Sequence, residues 1–455
     1  MSPRSSSSSV RDHCLAPGRI GRTVDSPTGP RNYARLFPKV PAFTADEAFL
    51  FALGRAGGVC DCARTDDDRA SEAHVAAGWP VFGQFIAHDI TADRSAPQSR
   101  ADVDRLRNFR DPQLNLEGVY GDGPVGHPFL FRRDDPAKFL LGDGGSDLPR
   151  NTEGIALIGD PRDDSHVLIS QFHVAMLKVH NAFVDHVRAA GVEGSRVFNE
   201  AARHTRWSYH WITVHEFLPS LVGAPLVDEL LRDGPRYFRP EGGPFIPLEF
   251  ADGAYRYGHC QIRQRYRVNA RSESMPLFPD LLGFRPVRPE HRVDWSLFFD
   301  APGRDMAQRS KKIDGKLARP LIQLPVAVTG ECEIDEYHSL AVRDLERGQG
   351  VGLPSGESLA RHLNIEPLSA EEVGLAKIGW RGETPLWYYI LREGDIRTGG
   401  DRLGPLGGRI VGDVLIGLLR ADASSLLNAT EEWRPPFEGP LGAGMAQLLT
   451  WADAN

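Results

Sequence analysis

Apolar residues recur at three- and four-residue steps along much of the chain, and this pattern predicts a mainly helical fold. The clearest case runs from Ser165 to Ala190, where Leu168, Phe172 and further apolar residues trace one stripe. Shorter helices are predicted over residues 200–221, 253–263 and 410–419. Strict alternation of apolar and polar residues, which indicates a strand, is scarce. We therefore expect one large helical domain with long irregular connections and little strand.

Composition sets the expected limits of this domain. Residues 1–30 are polar and rich in serine and lack the apolar core of a secretory signal, so we expect a disordered tail there. The folded domain is expected over residues 31–455. The stretch 234–248 is rich in Pro and Gly and is predicted to be a surface loop. Residues 159–164 carry the Pro and Asp residues that are typical of a helix start.

Charge and cysteine content exclude several classes of protein. The 455 residues carry a net charge of -8 with scattered basic residues, which argues against nucleic-acid binding. No run of 18 apolar residues exists, so no transmembrane segment is predicted. The five cysteines, with Cys60 and Cys62 as one close pair, fit neither a disulfide framework nor a zinc site. We expect a cytoplasmic protein, or one exported without a recognisable signal peptide, and the excess of Arg over Lys favours a bacterial source.

Residues 83–91 hold the most informative pair of polar side chains. On a helix, Gln84 and His88 are four positions apart and share one face. An amide beside a group that titrates near neutral pH suits proton transfer to and from a bound substrate. The alternative is a structural histidine, which is the commoner role of a His-Asp pair taken alone.

The motif Gln84-x-x-x-His88-Asp89 resembles the distal motif of the animal haem peroxidases. Later motifs match the same family in the same order: a loop ending in Tyr-Gly, a Gly-Asp-x-Arg, an Arg-Tyr-Gly-His and two weaker segments. They lie at residues 111–121, 159–162, 256–259, 343–354 and 403–406. The resemblance covers residues 33–433 and implies the helical fold of a haem peroxidase.

The resemblance also implies roles for individual residues around a haem. His88 would be the distal catalytic base that moves a proton between the two oxygens of H2O2. Arg162 would stabilise the negative charge on the departing oxygen, and Gln84 would lie near the halide site of the family. His259 would bind the haem iron, and Arg256 would meet a haem propionate.

Residues 111–117 place oxygen-bearing side chains at every second position, which suits a hard cation or, alternatively, a short strand with polar residues outward. The resemblance implies that this loop binds Ca2+ and that the ion fixes the helix of the distal histidine. The implied ligands are the side chains of Asp89, Asp111, Asn115 and Glu117 and the backbone carbonyl of Gln113. Asp111 and Glu117 are not the hydroxyl residues usual in the family.

Mammalian members of the family attach haem through two esters and, in one case, a methionine link. The corresponding positions hold Ala87, Ser165 and His166, none of which can form these bonds. Asp163 and Asp164 are close in sequence, but their spacing is wrong. We therefore predict non-covalent haem b.

The asparagine that orients the proximal histidine in the family has no clear counterpart in this chain. Glu383 and Thr384 are two possibilities, between which the sequence does not decide.

These features predict a haem peroxidase that uses H2O2 to oxidise small organic, halide or pseudohalide donors, as in a response to oxidative stress. One alternative is a fatty-acid dioxygenase of the cyclooxygenase type. Such enzymes carry a radical-forming tyrosine three residues before the proximal histidine, where this chain has Arg256. The other alternative is a non-catalytic haem-binding or adhesion module, which is expected to lose His88 or Arg162.

Overall fold

Helices form the core, as the apolar periodicity predicts. The computed structural model describes residues 33–62, 71–92, 106–240, 243–332, 334–439 and 442–454. The predicted tail, residues 1–30, lies outside these ranges. The α-helices in chain order are α1 Glu47–Gly54, α2 Gly78–Ile90, α3 Glu117–Tyr120, α4 Gly123–Gly126, α5 Val167–Ala189, α6 Arg196–Ile212, α7 Leu218–Val222, α8 Ala224–Asp233, α9 Leu248–Ala251, α10 Arg319–Ile322, α11 Val326–Thr329, α12 Leu340–Gly350, α13 Gly356–His362, α14 Ala370–Val373, α15 Leu386–Thr398, α16 Pro405–Ala421 and α17 Met445–Ala454.

Strands are short and occur only as pairs within the described ranges. They are β1 Tyr33–Ala34, β2 Glu72–Ala76, β3 Ile246–Pro247, β4 Arg265–Tyr266, β5 Met275–Pro276 and β6 Arg309–Lys311. β1 pairs in parallel with β3, and the pairs β2–β6 and β4–β5 are antiparallel. The prediction of a mainly helical fold with little strand is confirmed.

The long helix α5 is the central element of the core. The predicted stripe is buried throughout, with Phe172 and Phe183 fully inaccessible. The helix begins at Val167 rather than Ser165, because the His166 ring caps it by accepting the Ile169 N–H at 3.3 Å. By length and composition α5 could cross a membrane, but 89% of its apolar window is buried inside the protein.

The other helix predictions hold in part. Residues 200–221 correspond to α6, a π-helical turn at Thr213–Phe217 and α7, and residues 410–419 lie inside the longer α16. The predicted helix at 253–263 is instead the 3-10 segment Ala254–Gln261. The predicted loop 234–248 is not entirely at the surface, because Phe238 is buried and β3 pairs with β1.

Two helices that position the site are fixed by close packing. Gly78 opens α2 against Phe299, and a Cβ at Gly78 would lie 2.5 Å from that ring. Phe82 and Phe85 of α2 pack edge-on against Phe172 of α5. α12 begins at a Ser339 cap, and the Ser339 hydroxyl donates to the Gly54 carbonyl at the end of α1. Both elements are therefore held by the core.

Candidate functional site

A buried network of side chains surrounds His88 near the end of α2. The His88 Nδ1 bonds to Asp163 Oδ1 at 2.6 Å, and the other Asp163 oxygen bonds to His173 Nδ1 at 2.8 Å. Burial alone would raise the pKa of Asp163, but the hydrogen bonds from His173 and His88 outweigh it and hold this pKa below its ordinary value. Asp163 is therefore an anion that fixes the His88 ring and directs its Nε2 away from the carboxylate.

Arg162 lies beside His88 in the same network. Its Nη2 donates to the His88 carbonyl at 2.8 Å and to Asp160 at 2.7 Å, and its Nε also bonds to Asp160. Burial opposes ionisation of Asp160, but the charges of Arg162 and Arg110 hold its pKa well below the usual range. The pair Asp160–Arg162 fixes the plane of the guanidinium. The structure thus brings together the predicted residues Arg162 and His88.

Gln84 lies on α2 as predicted, and its side chain meets His166. The His166 Nδ1 accepts the Ile169 N–H, so the proton is on Nε2, which donates to Gln84 Oε1 at 2.9 Å. Burial and the neighbouring His88 lower the pKa of His166 to about 3, so this ring is neutral at physiological pH. His166, which stands where one mammalian member has the methionine bonded to haem, thus orients Gln84.

The positions that carry haem esters in mammalian members of the family hold no carboxylate in this chain. Ala87 has no reactive group, and Ser165 is the residue that ends the turn Pro161–Asp164. Of the two nearby acids, Asp163 is bound by two histidines, and Asp164 is bound by both Nη atoms of Arg150 at 2.7 Å.

The residues predicted to bind calcium do meet, but N–H donors take up their oxygens. Asp89 accepts the N–H groups of Leu116 and Glu117 at 3.1 and 2.9 Å, and Asn115 Oδ1 also accepts the Glu117 N–H. Burial outweighs these bonds and raises the pKa of Asp89 to about 7. The Asp89 carboxylate on α2 therefore anchors the loop through the loop's backbone N–H groups.

A guanidinium also lies in this loop. Arg110 bonds to Asp160 at 2.6 Å and reaches Glu117 Oε1 at 3.3 Å, while Glu117 Oε2 accepts the Asp111 N–H. Within the described ranges, no group of three or more His, Cys, Asp or Glu residues is arranged to hold a metal ion. Binding of Ca2+ by these residues and by the Gln113 carbonyl therefore stays a prediction.

His259 lies in the segment Ala254–Gln261, and its ring is oriented by an acid. The His259 Nδ1 bonds to Asp344 Oδ2 at 2.6 Å, and Asp344 Oδ1 accepts from Arg256 Nη1 at 2.8 Å. Burial opposes ionisation of Asp344, but the charges and hydrogen bonds of His259 and Arg256 hold its pKa below the ordinary value. With Nδ1 engaged, Nε2 is the nitrogen that can bind iron.

Asp344 fills the role that the sequence left open between Glu383 and Thr384. Glu383 bonds instead to Ser355 and Arg361, and Thr384 bonds to Glu357 through its N–H and hydroxyl. Both possibilities named from sequence order were therefore wrong.

Arg256, predicted to meet a propionate, makes bonds to protein carboxylates. Besides Asp344 it binds Asp252 at 3.1 Å and the Ala251 carbonyl at 3.0 Å. Asp252 in turn lies 3.7 Å from Arg347, so two carboxylates and two guanidinium groups stand behind His259. The contact of Arg256 with a haem propionate stays a prediction.

The elements that carry His88 and His259 pack against each other. A Cβ built on Gly83 of α2 would lie 3.3 Å from the Tyr257 hydroxyl, two residues before His259. The His259 side chain is 26% exposed, so part of its ring is accessible although Nδ1 is bonded to Asp344. An accessible imidazole whose Nδ1 is already bonded is a ligand type that fits haem iron through its other nitrogen.

Sequence reasoning missed the acids that orient the two histidines. Asp163 directly follows the predicted Arg162, and Asp344 lies inside a segment already matched to the family. A rule that each functional imidazole requires a partner on its second nitrogen would have prompted a search for them. The sequence alone does not show which acid reaches which ring.

Comparison with known sequences agrees with this arrangement. The family profile described as "Animal haem peroxidase" matches residues 97–355, more than half of the chain. The peroxidase skpo-1 of Caenorhabditis elegans is 24% identical over 343 residues, covering 67% of this chain and 50% of that protein. The chain belongs to the animal haem peroxidase family. It spans half or less of the length of the curated relatives it matches.

Solved structures show the same fold at low identity. Peroxidase A from Dictyostelium discoideum superimposes with a TM-score of 0.60 at 14% identity, covering 88% of this chain and 90% of that one. The fatty acid alpha-dioxygenase of Oryza sativa gives 0.60 at 15% identity, covering 90% and 76%. The profile match includes Arg162, His259 and Asp344 but begins after His88, so the distal assignment depends on the motif and the geometry.

Proposed function

We propose that this protein is a haem-dependent peroxidase that reduces H2O2 and oxidises small organic donors. One observation carries the proposal: the His88 ring is fixed by Asp163, the His88 carbonyl accepts from Arg162, and the helix of His88 packs against the segment of His259. A non-catalytic module is expected to lose His88 or Arg162, and this chain keeps both. Haem, when bound, would supply a redox-active iron that is oxidised by H2O2 and reduced again by the organic donor.

The residues of the chain divide the remaining work. His259 would hold the iron through Nε2, with Asp344 setting the orientation of its ring. His88 Nε2 would take the proton from one peroxide oxygen and return it to the other, so that water leaves. Arg162 would stabilise the negative charge on the departing oxygen, and Asp160 keeps its guanidinium in place. Gln84, held by His166, would lie on the same face of α2 as His88.

The haem is proposed to be non-covalent haem b, because Ala87 cannot form an ester and the nearby Asp163 and Asp164 are bound by other residues. Acidic acetone is expected to extract all of the haem from the holoprotein. The check is the absorbance of the acetone phase against that of the protein residue. Haem that remains with the precipitated chain would contradict the non-covalent assignment. Binding of Ca2+ by the loop at residues 111–117 is a separate prediction, on which the proposed function does not depend.

The overall reaction balances as H2O2 + 2 ArOH → 2 H2O + 2 ArO•, in which each phenol gives one electron and one proton. The haem-loaded protein is therefore expected to oxidise guaiacol only when both H2O2 and haem are present. The measurement is the absorbance of the coloured guaiacol product. Protein without haem is the control.

The fatty-acid dioxygenase is the second function that this fold permits. The fold shared with the Oryza sativa alpha-dioxygenase supports this alternative. Against it, Arg256 occupies the position of the radical-forming tyrosine of the cyclooxygenase type and is bound to Asp344. Oxygen uptake with linoleate, without guaiacol oxidation, would favour the dioxygenase and contradict the peroxidase. Haem binding without either activity would favour the non-catalytic module.

A further inference from the structure

The acid behind His259 is completely buried and bonded to two N–H donors. Asp344 lies on α12 with a side-chain exposure of 0%, and its two oxygens bond separately to His259 and Arg256. The bond to His259 Nδ1 is short, at 2.6 Å. Because few other dipoles or waters compete in a buried setting, the charge of the Asp344 carboxylate acts strongly on the imidazole proton.

The positive charge of Arg256 only partly offsets Asp344. The same guanidinium bonds to Asp252 at 3.1 Å, so Arg256 is shared between two carboxylates. Arg347 Nε lies 3.7 Å from Asp252 Oδ1, which is within ion-pair distance but too far for a hydrogen bond. Asp344 is thus the carboxylate whose hydrogen bond reaches the predicted iron ligand directly.

We propose that Asp344 is a positioning residue that makes His259 an electron-rich ligand and thereby holds the haem iron at a low reduction potential. This inference rests on the proposed function and deepens it by naming the donor class. A carboxylate that accepts the Nδ1 proton gives the imidazole anionic character, which stabilises Fe3+ more than Fe2+. A neutral amide at this position accepts the same hydrogen bond with much less charge donation. A low potential suits easily oxidised phenols and disfavours the oxidation of chloride.

The test is the midpoint potential of the Fe3+/Fe2+ couple in the holoprotein and in Asp344→Asn. The amide keeps the shape and an acceptor oxygen but removes the charge. We expect at least a tenfold increase in the ferrous-to-ferric ratio at a given potential, which corresponds to a rise of about 59 mV. The Fe–His stretching frequency of the ferrous protein is expected to fall in the same variant.

Asp252→Asn is the matched control, because it removes the same charge from the same cluster without touching His259. We expect a smaller rise in potential and an unchanged Fe–His frequency in this variant. An unchanged potential in Asp344→Asn would overturn the inference. So would equal shifts in both variants without a change in the Fe–His frequency.

A second test keeps Asp344 in place and covers the case in which Asp344→Asn fails to fold. In His259→Ala supplied with haem, imidazole can donate an N–H to Asp344, whereas 1-methylimidazole cannot. The imidazole complex is expected to have the lower potential, and equal potentials would overturn the inference. Wild-type protein that binds no haem would overturn the proposed function itself. Haem-bound protein that fails only these tests would overturn the role of Asp344 and leave the peroxidase proposal intact.

Discussion

Replacement of His259 by alanine is expected to remove the Soret band of the reconstituted protein, or to shift it to that of haem without an imidazole ligand. The reason is that His259 Nε2 is the proposed iron ligand, since Nδ1 is engaged by Asp344. Added imidazole is expected to restore the band, because the small molecule can occupy the space left by the side chain. The measurement is the visible absorption spectrum after addition of one equivalent of haem.

The matched control is His74→Ala, which removes a histidine whose side chain is 94% exposed and paired with Asp401. This variant is expected to bind haem like the wild type. A His259→Ala protein with an unchanged Soret band and normal circular dichroism would show that another residue binds the iron.

Replacement of His88 by alanine is expected to leave haem bound but to slow the reaction with peroxide by about 10²- to 10⁴-fold, the usual contribution of a positioned general base. The loss should appear in the rate at which H2O2 changes the Soret band in stopped-flow measurements. Asp163→Asn is expected to slow the same rate by a smaller factor, because it leaves the imidazole in place but weakens the bond that orients it.

His74→Ala again serves as the control and is expected to react with peroxide at the wild-type rate. If His88→Ala reacted with peroxide as fast as the wild type, the distal assignment would be wrong. Haem content and circular dichroism measured on the same samples separate that result from a loss of structure.

The large helix was predictable because its signal is local and long. The apolar stripe of α5 repeats over six turns, so small errors in its ends did not affect the assignment. The segment Ala254–Gln261 was assigned to an α-helix but forms a 3-10 helix, because periodicity does not distinguish the two over so few residues.

The site was predictable where motifs are contiguous and not where distant residues meet. Gln84 and His88 share a helix face, and the position of that face followed from spacing alone. Asp344 is 85 residues from His259, and only the packing of α12 brings the two together. In the loop at residues 111–117, spacing showed which oxygens are near one another, but not that Arg110 and backbone N–H groups bond to them.

A crystal structure of the haem-loaded protein is the most direct test. It should reveal one porphyrin with its iron bonded to His259 Nε2 and its opposite face turned toward the His88 imidazole. Iron bonded to a different side chain, or a macrocycle seated away from both rings, would contradict the account.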